Sequence, residues 1–121
     1  MEMQATEKQL GYIKWLVEKL ENKNWKLDTV DTELADRLVC YKYYCWIKQN
    51  YMNFDKQQAS KSISFLVNLL KYGYANALSV IPELKKISDE LYLQYCSMVE
   101  QRKSDEEIIS QLEGVVSKIR F

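Results

Sequence analysis

From Tyr12 to Tyr72 the chain contains neither glycine nor proline, and the whole sequence holds only Gly11, Gly73, Gly114 and Pro82 as backbone breakers. Sheet-rich chains of this size need frequent tight turns, which draw on those residues. Leu, Lys, Glu and Gln are plentiful instead, and all are good helix formers. The expected class is all-α.

Local start signals agree. In Thr6-Glu7-Lys8-Gln9 the Thr6 hydroxyl can accept from the Gln9 amide while the Gln9 side chain reaches back, a capping box. Leu10, Ile13, Leu16, Val17 and Leu20 follow at helical spacing, and Asn22 to Asn24 supply an end. Residues 22 to 31 read as a loop whose Trp25 folds back on the core, with Asp31 as cap of the next helix. That second helix runs from Leu34 to about Tyr51. Its apolar residues fall in three sectors: Leu34, Leu38, Tyr41, Cys45 and Met52; Ala35, Val39 and Trp46; Cys40, Tyr44, Ile47 and Tyr51. A helix apolar on nearly every side is central and buried.

Asp55-Lys56-Gln57-Gln58 repeats the capping logic, with Phe54 at the staple position. The third helix carries Ala59, Ile63, Leu66 and Leu70, and Gly73 stops it. Tyr74 to Val80 suits a short helical turn. Pro82 opens a helix with Leu84, Ile87, Leu91, Tyr95 and Met98, and Ser104-Asp105-Glu106-Glu107 is a further capping box that opens another with Ile108, Ile109, Leu112, Val116 and Ile119. Only Tyr41 to Trp46 has β propensity. The expected architecture is a compact bundle of four to six helices in a single domain over residues 1–121.

The sequence has no histidine, which excludes Ser-His-Asp and Cys-His catalysis and removes the usual base near neutral pH. Cys40, Cys45 and Cys96 contain no C-x-x-C pair and are too few for an all-cysteine zinc site. They read as buried thiols in a reducing compartment. The separated glycines exclude phosphate-binding glycine loops. Asp28/Asp31 and Glu106/Glu107 are poor metal ligands, the second pair being accounted for by capping. The expectation is a non-enzymatic protein with no cofactor and no metal. Without a basic-apolar leader or a long uncharged stretch, it is also expected to be cytoplasmic and off the membrane.

The formal net charge is zero, but the distribution is uneven. Residues 1–36 hold five Lys and eight acids, net −3; residues 37–88 hold eight Lys+Arg and two acids, net +6; residues 89–121 hold four and seven, net −3. Arg37 to Phe54 contains no acid, and Tyr41-Lys42-Tyr43-Tyr44-Cys45-Trp46-Ile47-Lys48 interleaves aromatics with lysines. Aromatics beside cations suit single-stranded nucleic acid, where bases stack and phosphates pair. The same set suits a protein interface, and equally a helix core with solvated lysines. Arg37, Lys42, Tyr43, Tyr44, Trp46 and Lys48 are the candidate interaction residues. Tyr12 and Trp15 lie beside the first helix's stripe, a position that fits either exposure or a wider buried face.

The segment Thr6 to Leu16 also matches T-x-K-Q-x-x-Y-I-x-x-L, and Ala59 to Leu66 matches A-S-x-x-I-x-x-L. In this order they resemble patterns in small proteins and terminal modules of phages, plasmids and their Gram-positive hosts, many attached to DNA-processing proteins. The resemblance covers about 25 residues of caps and core positions, so it implies a setting and carries no catalytic residue. With the charge blocks it points to a protein that binds and inhibits a host or phage protein of nucleic-acid machinery or anti-phage defence, such as an anti-CRISPR-like inhibitor. A single-stranded DNA- or RNA-binding module is the alternative, and opposed charge blocks also suit a homodimer.

Overall fold

Three of the helices begin where a side chain accepts from a first-turn amide. In the computed structural model, which describes residues 3–121, α1 (Glu7–Glu21) starts at a complete Thr6/Gln9 capping box and α3 (Lys56–Tyr72) at a complete Asp55/Gln58 box. Pro82 occupies the first turn of α5 (Pro82–Glu100), where its missing N–H costs nothing. Between these lie α2 (Leu34–Asn50), a 3₁₀ turn (Tyr51–Asn53) and the short α4 (Tyr74–Ser79); α6 (Asp105–Ser117) follows. The described residues thus form six α-helices and no strand, and Tyr41 to Trp46 is helical.

Several local expectations change, and Leu70, placed on the third helix's buried stripe, is exposed while Leu69 takes the core position. Asp31 is not the cap residue of α2: Glu33 holds that position, and the Asp31 carboxylate accepts from the Glu33 amide two residues ahead. Met52 leaves its predicted sector because the chain tightens into the 3₁₀ turn, and it is exposed. Ser104 accepts from the Glu107 amide, but Glu107 does not reach the Ser104 backbone; its carboxylate accepts from the Ser104 hydroxyl instead.

α5 ends without a glycine. Lys103 donates to Met98 and Arg102 to Val99, the paired bonds of a Schellman end, with Arg102 at φ 56° in the position glycine usually takes. Gly73, at φ 102° and ψ −166°, divides α3 from α4 in a conformation only glycine adopts freely.

The helices close on one contiguous core in which Ile13, Leu34, Ile47, Phe65, Leu66, Leu78 and Leu112 are wholly buried. α2 is the central element, packing on α5, α4 and α6, and it buries residues on all its sides as its three sectors require. α1 sits at the periphery and packs chiefly on α3. The two run parallel. At one end the Met3–Ala5 segment pairs with Phe54–Lys56 (Ala5 N to Phe54 O 3.0 Å, Lys56 N to Met3 O 2.9 Å), and Gln9 donates to the Lys56 carbonyl. At the other end the Lys23 ammonium lies 5.0 Å from the Tyr74 ring. Trp25 is buried against Tyr41 and Tyr44, as the loop reading expected.

Candidate functional site

Since α2 is central, most of its basic-aromatic segment is structural. Tyr43 is buried edge-on to Phe65 at 4.8 Å and stacked on Trp46 at 5.3 Å. Tyr44 is buried against Trp25 and donates to the Val17 carbonyl at 3.0 Å. Burial, then the Glu21 charge, pushes the Tyr44 hydroxyl up to about 12; burial also raises Tyr43.

Arg37 is only 3% exposed. Its guanidinium donates to the carbonyls of Lys26 (3.0 Å) and Thr29 (2.7 Å) and pairs with Asp31 at 2.9 Å, pinning the 26–31 loop to α2. Arg37, Tyr43 and Tyr44 are thus held within the fold and do not form the free contact surface expected of them. Trp46 is half-buried against Phe54, Lys42 is half-buried, and Lys48 is exposed but joined to Glu21 at 3.1 Å.

The charge blocks meet one another in space. Each of the three ion pairs among the described residues joins the basic block to a flanking acidic block: Arg37–Asp31, Lys48–Glu21 and Lys85–Asp89. Part of the sequence's charge pattern is thus spent inside the molecule.

An exposed aromatic-cationic surface lies on α1, and Tyr72 beside Lys71 is a further exposed ring at the end of α3. At 3.6 residues per turn Lys8, Tyr12, Trp15 and Lys19 fall within a sector of about 60°. All four are exposed, Tyr12 by 44% and Trp15 by 48%. The two rings lie 6.1 Å apart and tilted by 32°, and the Lys19 ammonium sits 5.4 Å from the Trp15 centroid, a cation–π contact that holds it over the ring. Gln9, on the α3 side of this stripe, bonds to Lys56; Glu18 lies on the opposite side. α3 carries no acid from Lys56 to Tyr72, and it exposes Lys56, Ser60, Leu70 and Lys71. Here the aromatics are free and the nearby helix is uniformly positive. The signal was in the sequence as lysines one turn to either side of Tyr12 and Trp15, but it needed the core side of α1 to be known.

A second concave region opens between α2, α3, α5 and the segment after α6. Its volume is about 410 Å³, its wall is Tyr43, Trp46 and Phe121, and Lys61, Glu83 and Arg120 border it. A smaller groove of about 340 Å³ lies between α2 and α6, lined by Tyr41, Cys45 and Val116 with Lys42 at its side.

Among the described residues no three Cys, Asp or Glu side chains gather as metal ligands would, and no helix is long and apolar enough to cross a membrane. No family model, curated protein or solved structure matches this chain.

Proposed function

We propose that this is a non-enzymatic interaction protein that inhibits a protein partner by covering part of its surface, with the α1 stripe and the adjoining side of α3 as the contact face. The observation that carries this is the exposed Tyr12–Trp15 pair set between Lys8 and Lys19. Aromatic side chains bring large apolar area at little entropic cost and dominate interface energetics, while surrounding charge steers the encounter. The complementary patch on the partner is acidic, with an apolar recess for the rings. The resemblance of the two helix starts to phage and plasmid modules supports a partner in host nucleic-acid machinery or anti-phage defence.

The test is affinity capture from a host lysate with wild type, a Tyr12→Ala/Trp15→Ala double variant and a Lys8→Glu/Lys19→Glu variant. Both variants are expected to lose the enriched partner while melting within a few degrees of wild type. A captured set that is unchanged by both variants would remove the face from consideration.

Single-stranded nucleic acid is the second reading, favoured by the acid-free α3 beside two exposed rings, since bases stack on such rings without sequence preference. Fluorescence anisotropy with a labelled single strand would then show log affinity falling by about 0.7 per phosphate contact for each decade of salt. Absence of binding at low salt excludes it.

A further inference from the structure

The groove between α2, α3 and α5 carries chemistry that the α1 face does not use. Tyr43 and Trp46 stack at 24° between ring planes, and the Phe121 ring stands edge-on to both, 5.1 Å from Tyr43 and 6.0 Å from Trp46. Their arrangement gives a rigid aromatic wall to a recess of about 410 Å³, within the range of about 300–1,000 Å³ typical of small-molecule sites.

Two cations border that wall. Arg37, Lys48 and Lys85, three members of the basic block, all hold carboxylates. Lys61 and Arg120 do not: among the described residues neither has a carboxylate within ion-pair distance, although Glu83 borders the same groove. Arg120 spends one N–H on the Ser117 carbonyl at 3.3 Å and keeps the rest of its donors. An apolar recess lowers the local dielectric, so unneutralised cations at its border attract an anion more strongly there than on open surface.

We infer that this groove binds a planar aromatic anion, its ring lying against Trp46 and Phe121 and its phosphate or carboxylate between Lys61 and Arg120. The ring supplies stacking and apolar burial; the anion supplies charge-assisted hydrogen bonds, which Arg can make in pairs to either oxyanion. Neither half alone is complementary to the whole groove.

Isothermal titration calorimetry with adenosine 5′-monophosphate and with indole-3-acetate separates the two oxyanion classes, with adenosine and inorganic phosphate as half-ligand controls. Saturable binding is expected for at least one anionic aromatic, with both controls at least tenfold weaker. Lys61→Glu and Arg120→Glu, both at exposed positions, should each weaken it about tenfold without lowering the melting temperature. The Tyr12→Ala/Trp15→Ala variant should bind as wild type, which keeps this site independent of the α1 face. Absence of saturable binding by either anionic aromatic at millimolar concentration overturns the assignment. So does adenosine binding as tightly as its monophosphate, or equal affinity in the two charge variants.

Discussion

Replacing Arg37 with alanine separates a structural role from an interface role at the residue where the two were hardest to tell apart. The native guanidinium makes bonds of 3.0 and 2.7 Å to the Lys26 and Thr29 carbonyls and a 2.9 Å pair with Asp31. Hydrogen bonds to a charged group contribute about 1.5–3 kcal/mol each when they stay dry. Here the Asp31 side chain is 44% exposed and the carbonyls belong to a surface loop, so water replaces part of what is lost, and about 1 kcal/mol per bond is the fairer figure. Three bonds plus the packing of the buried stem give a loss of about 3–4 kcal/mol, a large share of the ~5–15 kcal/mol that holds a domain together. At about 4 °C per kcal/mol the melting temperature falls by about 12–16 °C. Arg37→Lys should recover less than half, because an ammonium cannot span two carbonyls and a carboxylate at once. Urea unfolding with calorimetry measures both variants. An Arg37→Ala loss below about 1 kcal/mol, or full recovery by lysine, would refute the loop-pinning role.

Arg102→Gly should stabilise the protein by about 1 kcal/mol, seen as a higher urea midpoint, because glycine takes the left-handed position at the end of α5 without the side-chain penalty. Tyr44 resists ionisation in the folded state, its hydroxyl raised from 10.0 to about 12. A raised value means its stabilisation is complete below pH 10 and is lost as pH climbs toward 12, so helicity should fall across that window, and Tyr44→Phe should lessen the dependence while Tyr43 and Cys40, also raised by burial, keep part of it. Cys40 is buried and its thiol is pushed well above the ordinary value by that burial. A thiol reagent should modify Cys45 and Cys96 in the native protein and reach Cys40 only at the rate of unfolding.

The helix starts were legible because caps are local: Thr6, Asp55 and Pro82 act within three or four residues, and their signals survive any tertiary arrangement. The centrality of α2 was legible from its three apolar sectors. What was not legible is which cations and rings a central helix withdraws. Arg37 finds its partners eight and eleven residues back in a loop with no pattern of its own, so it read as free charge. Tyr43 and Tyr44 read as interaction residues or as core, and the centrality of their helix already favoured the core. Tyr12 and Trp15, on an edge helix, are among the rings that reach solvent, with Tyr72 and Tyr92, and the sequence left them undecided because the width of a buried face depends on its neighbours. The Schellman end at Arg102 gave no sign because arginine carries no preference for that conformation.

The parallel pairing of α1 with α3 has a consequence for assembly. The apolar stripe of Ile13, Leu16, Val17 and Leu20 is covered chiefly by a helix whose first turn lies 47 residues further along, so α1 is synthesised well before the surface that receives it. Loop closure over that distance costs little more than over half of it, and the 22–33 connection adds anchorage to reach, through buried Trp25 and the loop that Arg37 holds. Cutting it would part α1 from the α3 face that covers its apolar stripe.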